Sequence, residues 1–234
     1  MAEYTPLLTW DDDGERFYET GVDHGVLFPK NGSTYGDGVA WSGLTAFNDN
    51  PEGADSNEIY ADNILYLNLI SAEKFNFGIE AYQYPEEFAE CDGSKAAVTG
   101  VYFGQQTRKA FGFAVRTRIG NDEDGSDHGY KIHLCYGCKA AVASKDYQTI
   151  NDSPEAATMS WDCSTTPIQM EGYKPVSHIV IDSRKFTETA AAAKLAAFEK
   201  ILYGTPATTG TSATEEVPAR LPLPSEVITL LTVA

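Results

Sequence analysis

The stretch F-G-F-A-V-R-T-R-I-G-N-D-E-D-G-S-D-H-G-Y-K-I-H-L-C-Y, residues 111–136, decides the fold. Its first part places Phe111 and Phe113 at alternate positions, which is the period of a strand with one apolar face. Residues 130–136 repeat that period. Because the turn-forming run 121–129 lies between the two parts, the stretch predicts a long antiparallel hairpin.

The same period marks further strands on both sides of this hairpin. They are predicted at 38–47, 58–70, 74–84, 159–163 and 176–182. One helix is predicted at 188–203, where Ala191, Leu195, Phe198 and Leu202 form one stripe and Gly204 follows as a stop signal. The pattern indicates a mainly β protein: an antiparallel β sandwich or barrel with one flanking α-helix and extended terminal arms.

Composition divides the chain into four segments. We predict an N-terminal arm and acidic segment at 1–37, a β domain at 38–204, a flexible Thr/Ala/Gly linker at 205–218 and a C-terminal arm at 219–234. Two prolines argue against a regular helix over 220–224. The arm is too apolar for a free tail, so it should dock on its own domain or on a neighbour. The candidate docking residues are Leu221, Leu223, Val227, Ile228, Leu230 and Leu231.

Charge excludes several functions for this chain of 234 residues. A net charge of −17 argues against wrapping nucleic acid or lying on an anionic membrane. No export signal and no membrane-spanning run is recognised in the sequence. Residues 1–94 hold 19 acidic and 3 basic side chains, whereas basic residues outnumber acidic ones over 95–145. The uneven charge suits either solvated faces or two complementary surfaces that let copies associate head to tail.

Chemical motifs are nearly absent. Cys135 and Cys138 have C-x-x-C spacing but lack a second pair, so buried apolar packing is favoured over zinc or a disulfide. The acidic turns at 11–14 and 120–125 lack the terminal ligands of a calcium loop. No catalytic, cofactor-binding or metal-binding residue is assigned, and we expect neither an enzyme nor a cofactor.

Several longer stretches carry a resemblance. They are G-V-A-W-S-G-L at 38–44, P-E-G-A-D at 51–55, Y-A-D-N at 60–63, E-A-Y-Q-Y-P-E-E-F-A-E-C-D-G at 80–93, G-Q-Q-T-R-K-A-F-G-F at 104–113, I-G-N-D-E-D-G-S-D-H-G-Y-K-I-H-L at 119–134, Y-Q-T-I-N-D-S-P-E-A at 147–156, I-L-Y-G at 201–204 and A-R-L-P-L-P-S-E-V at 219–227. Together they resemble the major tail protein, or tail tube protein, of siphophages that infect Gram-positive bacteria.

The resemblance implies a structural virion protein with a β sandwich or barrel and a flanking helix. Such subunits form rings, usually hexameric, that stack into the hollow tail tube through which DNA passes during ejection. It also implies contacts with tape measure, tail terminator and distal tail proteins, no membrane partner, and a place in the virion tail after assembly in the host cytoplasm. Six copies would carry six times −17, or −102, so an acidic lumen would repel DNA without binding it.

Three predictions follow for particular residues. Glu80, on the polar face of its strand, should face the lumen. Arg116 and Arg118 should be neutralised by acidic partners in the sheet or on a neighbouring subunit. Deletion of 219–234 should impair polymerisation.

Two other functions remain open from the sequence. A carbohydrate-binding or decoration β sandwich at a virion surface would expose an aromatic platform such as Trp41, Tyr82 or Trp161. A hydrolase using the carboxylates of Glu86, Glu87 and Glu90 ranks last, because any chain with 34 acidic residues offers such groups.

Overall fold

The computed structural model describes residues 9–150, 152, 156–208 and 215–233. The strands within these residues are β1 (Tyr18–Asn31), β2 (Thr34–Tyr35), β3 (Val39–Trp41), β4 (Leu44–Asp49), β5 (Ser56–Ala61), β6 (Ile64–Ile70), β7 (Asn76–Ala81), β8 (Lys95–Val98), β9 (Val101–Phe103), β10 (Phe111–Asn121), β11 (Gly125–Ala140), β12 (Met159–Ser164) and β13 (His178–Asp182). The helices are α1 (Thr189–Tyr203) and α2 (Pro224–Leu231), with 3-10 turns at Glu86–Glu90 and Ser183–Lys185. The predicted mainly β class is confirmed.

The strands form an antiparallel sheet that runs β2-β1-β10-β11-β12-β7-β4, with β13 added to β11 and β3 added to β1. The predicted hairpin at 111–136 is its centre, since β10 and β11 pair from Phe111↔Cys138 to Asn121↔Gly125. The turn between them is shorter than predicted, because β11 already begins at Gly125.

A bulge in β11 lets this strand serve two layers. Phe111 faces Cys138 and Phe113 faces Cys135, so two residues of β11 stand opposite one of β10. Gly137 lies in the bulge with φ +61°, and a Cβ there would lie 2.4 Å from the carbonyl oxygen of Thr166. Before the bulge β11 pairs with β10 and β13, and after it Lys139 and Ala140 pair with β12. The sheet therefore folds over itself as a sandwich.

Two cores cover opposite faces of β1, β10 and β11. One lies between the sheet layers and includes Leu27, Phe113 and Trp161. The other lies between the sheet and the helices and is lined by residues of β1, β11, α1 and α2. Leu195 and Phe198 of the predicted helical stripe are buried there, which confirms that α1 flanks the sheet.

Strand β1 was not predicted, although it is one of the longest in the sheet. It lies within the segment 1–37 and pairs with β10 from Tyr18↔Gly120 to Pro29↔Phe111. Its register shifts twice, near Gly21 and His24, and both residues have positive φ. These irregularities break the period-2 pattern, so the sequence analysis found no strand there.

Helix α2 and the hairpin β8–β9 were also missed. Pro224 is the first residue of α2, a position where its missing N–H costs nothing, so the two prolines exclude helix only up to Leu223. Thr205 and Val217, near the two ends of the predicted linker, form a β-bridge. Residues 209–214 of that linker lie outside the described residues.

Candidate assembly surfaces

A ribbon projects from the β4–β7 pair and ends in the hairpin β5–β6. Beyond the β4–β7 ladder, Glu52 pairs with Lys74, and Asp55 exchanges hydrogen bonds with Ser71. The tip is the two-residue turn Asp62-Asn63, in which both φ angles are positive, as a tight hairpin requires. The hairpin is thus a continuation of the second sheet layer rather than a loose loop.

The β5–β6 hairpin has one apolar face and one mixed face. Register places Ile59 opposite Leu67 and Asn57 opposite Leu69 on one face. On the other face, the Ser56 hydroxyl donates to Asn68 Oδ1 at 2.6 Å. Among the described residues, no hairpin residue belongs to either core, and its large apolar side chains are exposed. These are Ile59, Tyr60, Ile64, Leu65, Tyr66, Leu67, Leu69 and Ile70.

The hairpin β8–β9 is a second exposed apolar element. On one face, Tyr102 lies opposite Ala96, and its hydroxyl donates a hydrogen bond to Glu86. Val98, Val101 and Phe103 lie on the exposed side together with Lys95. The Lys95 side of the hairpin borders a groove of about 370 Å³ that Arg108 and Lys109 also line.

Residues 141–150 form a third exposed segment without helix or strand. Val142, Tyr147 and Ile150 are almost fully exposed. The segment is anchored by Lys145, whose ammonium lies 2.6 Å from Asp92 Oδ2 and 4.5 Å from the centre of the Tyr84 ring. Asp92 is largely buried and also accepts a hydrogen bond from the Trp161 indole at 3.0 Å.

Arg116 and Arg118 meet on Asp23 of β1. The guanidinium of Arg116 makes two hydrogen bonds to the carboxylate, at 2.6 and 3.0 Å, and Arg118 Nε adds a third at 3.1 Å. Arg118 also contacts Asp127 at 2.9 Å. Although partial burial opposes ionisation, hydrogen bonds from Arg116, His24 and Arg118 hold the pKa of Asp23 well below its usual range. The network joins β1 to β10, and it lies within one chain.

Glu80 lies on β7 opposite Ala46 and Ser160, half-buried. Its carboxylate accepts a hydrogen bond from the Asn48 amide at 3.4 Å. That this face lines a lumen stays a prediction.

The C-terminal arm docks on its own domain. Leu221 and Val227 are buried in the helix-side core, and Leu230 and Leu231 pack against it. The Tyr136 hydroxyl donates to the Pro222 carbonyl at 2.8 Å, which fixes the arm on the sheet. The remaining two candidates, Leu223 and Ile228, are 45% exposed and are therefore available to a neighbour.

The residues considered for metal binding take other positions. All four cysteines are free and buried, and burial raises the pKa values of their thiols. Asp122, in the acidic turn, accepts hydrogen bonds from the backbone N–H groups of Gly14 and Arg16. Among the described residues, no group of three or more His, Cys, Asp or Glu side chains is arranged to hold a metal ion.

The aromatic platform considered for carbohydrate binding is wrong in two of its three residues. Trp41 and Trp161 are 3% and 0% exposed and contact each other in the core, whereas Tyr82 is exposed. The period-2 pattern had placed both tryptophans on strands without saying which face each side chain takes. Glu86 and Glu90 line an open groove of about 350 Å³, where Glu90 pairs with Lys109 at 2.8 Å.

No helix in the described part of the chain is long and apolar enough to cross a membrane. No family model matches the sequence, and no curated protein matches it. Two solved structures are similar to parts of it. One is a chain of the anti-feeding prophage baseplate, with 7% identity, 74% of this chain and 97% of that chain covered, and a TM-score of 0.36. The other is a chain of the PVC extracellular contractile injection system, in its extended sheath-tube complex, with 9% identity, 68% and 88% covered, and a TM-score of 0.29. At these TM-scores neither similarity supports an inference about this chain.

Proposed function

We propose that this protein is a structural subunit of a phage tail, the tail tube protein of a siphophage. Copies form six-membered rings, the rings stack into a hollow tube, and the genome passes through the tube during ejection. Tape measure, tail terminator and distal tail proteins are its further partners. The proposal includes no catalytic step and no cofactor.

One observation carries the proposal: the β5–β6 hairpin exposes eight large apolar side chains on a projecting ribbon. A two-stranded hairpin is at best marginally stable in water, and exposed patches of this kind mark interaction sites. A subunit that assembles covers such a hairpin with its neighbours. An isolated monomer leaves it in water.

The charge of the chain fits a conduit for DNA. Cationic side chains lining a lumen would hold phosphate groups, and an acidic lining keeps passage loose. Arg116 and Arg118 are paired with Asp23 inside the sheet, so neither presents a free guanidinium to a passing polyanion. The net charge of −17 per subunit supplies the repulsion.

Negative-stain electron microscopy and sedimentation velocity of the purified full chain test the proposal. We expect rings or tubes at high concentration. The Leu67→Asp variant should stay monomeric, because it places a carboxylate on the apolar hairpin face. Tyr173→Asp, at an exposed turn position, is the matched control and should assemble normally. A wild-type protein that remains monomeric at concentrations of hundreds of micromolar would overturn the proposal.

The C-terminal arm needs a different test from deletion of 219–234. Because Leu221 and Val227 belong to the core, that deletion would damage folding as well as assembly. Substituting Leu223 and Ile228 with Ser changes only exposed side chains. Impaired assembly of this double variant, with an unchanged unfolding midpoint, would indicate that the arm also contacts a neighbouring subunit. Normal assembly would limit the arm to its own domain.

A further inference from the structure

The two exposed hairpins of this chain have opposite charge. Residues 50–73, which form the ribbon and the β5–β6 hairpin, hold five acidic side chains and no basic one. Residues 93–109, which form the β8–β9 hairpin and its flanks, hold Lys95, Arg108 and Lys109 and no acidic one. Each hairpin also has an apolar face that no core residue covers among those described.

We propose that the β5–β6 hairpin of one copy docks on the β8–β9 hairpin of a second copy. The proposal rests on the proposed function and names the pair of surfaces that meet in the assembly. The apolar face with Ile59, Leu67 and Leu69 packs against Val101 and Phe103. The carboxylates of the first hairpin lie around the rim of the contact, near Lys95.

Charge decides which surfaces pair. Two β5–β6 hairpins facing each other would bring the carboxylates of Glu58 and Asp62 against their own copies, and like charges across a contact are unfavourable. Lys95 forms no ion pair with a described carboxylate of its own chain, whereas Lys109 pairs with Glu90 and Arg108 lies 3.6 Å from Asp92. Lys95 is therefore the cation that is available to a neighbour.

The symmetry of the contact fits the same conclusion. A contact between two different surfaces leaves the second surface of each copy open, so it propagates around a ring or along a stack. A contact between identical surfaces would close as a dimer. The two hairpins thus supply the unlike surfaces that growth of a tube requires.

Cysteine crosslinking tests this pairing in the full-length protein. Leu67→Cys and Phe103→Cys each place a thiol on one exposed hairpin face, while the four native cysteines are buried and do not react. We expect a rapid disulfide-linked dimer when the two variants are mixed under mild oxidation, at least tenfold faster than either variant forms alone. Tyr173→Cys mixed with Leu67→Cys is the matched control, since Tyr173 is exposed outside both hairpins.

Each outcome is decisive. A Leu67→Cys variant that links to itself as fast, or links equally to Tyr173→Cys, overturns the pairing. If microscopy shows tubes while the mixed pair does not crosslink, the pairing is wrong and the proposed function stands. If no assembly forms and no crosslink appears, both fail.

Charge reversal gives a second readout. Lys95→Glu should slow the specific crosslink about tenfold at low salt, and the difference should shrink at high salt because exposed charges are screened. Lys174→Glu, an exposed lysine beside Tyr173, should leave the rate unchanged. Equal rates for Lys95→Glu and Lys174→Glu would contradict the role of Lys95 at the contact.

Discussion

Acidification should unfold this protein through two stacked histidines. His133 on β11 and His178 on β13 lie with ring centres 5.4 Å apart, and His133 Nδ1 is 3.1 Å from His178 Nε2. Phe75 stacks on His178 at 4.0 Å, and Phe47 lies 5.3 Å from His133. The pair therefore sits in an aromatic environment that favours neutral rings.

Burial lowers the pKa of both histidines from 6.5 to about 4, and for His133 the neighbouring His178 lowers it further. Asp49 and Glu19 oppose this shift at His133, while Lys131 supports it. Because the unfolded chain takes up protons near pH 6.5 and the folded chain near pH 4, stability is full above pH 6.5 and is lost as pH falls towards 4. At pH 5 each histidine should cost about 2 kcal/mol relative to pH 7.

Urea unfolding between pH 4.5 and 7.5 measures this effect, at a concentration where the protein sediments as a monomer. The fluorescence of the buried Trp41 and Trp161 reports unfolding. The two histidines together should lower the free energy of unfolding by about 3–4 kcal/mol between pH 7 and pH 5. Asp23 does not contribute in this range, because its lowered pKa makes its stabilisation disappear only below about pH 4.

The His178→Phe variant should remove roughly half of this pH dependence while keeping an aromatic ring beside Phe75. His128→Gln, in the turn between β10 and β11, is the control and should keep the wild-type slope. Direct titration of the imidazole protons by NMR provides a second measurement. A pKa above 6 for both buried histidines, or a flat stability profile between pH 5 and 7, would refute the reasoning.

Two further predictions concern contacts within the chain, each with an exposed residue as its control. Asp23→Asn should lower the free energy of unfolding by about 2 kcal/mol, because it weakens the charge-assisted hydrogen bonds from two partly buried arginines; Asp127→Asn, whose side chain is 80% exposed, should change it by less than about 0.5 kcal/mol, and equal effects would contradict the network. Leu221→Ala should cost about 2–3 kcal/mol by leaving a cavity beneath α2; Leu223→Ala should cost under about 1 kcal/mol, and urea denaturation of both variants decides whether the arm stabilises its own domain.

The sequence predicts the centre of the fold well because local rules operate there. The β10–β11 hairpin has a regular period and an obvious turn, and α1 has a regular stripe followed by Gly204. Strand β1 escapes the same rules because two residues with positive φ interrupt it. Its ladder depends on β10, which lies about ninety residues later in the chain.

The assembly surfaces were only partly predictable, for a different reason. The segment 58–70 was predicted as strand, and β5 and β6 do lie there. Nothing in the local pattern shows whether such a strand packs in its own core or remains exposed. Trp41 and Trp161 illustrate the opposite error, since residues considered for a surface platform lie in the core. Burial depends on long-range pairing that a single sequence does not reveal.

A strand that is covered by a neighbour obeys the same chemistry as one covered by its own domain. Both need apolar side chains on one face and backbone pairing along one edge. Ile59, Leu67 and Leu69 on β5–β6 meet this requirement, as Phe77 and Ile79 do on β7. Only β7 has a partner layer within the chain. The β5–β6 hairpin therefore has the composition of a core strand without the core, which is the physical reason to seek its partner in a second copy.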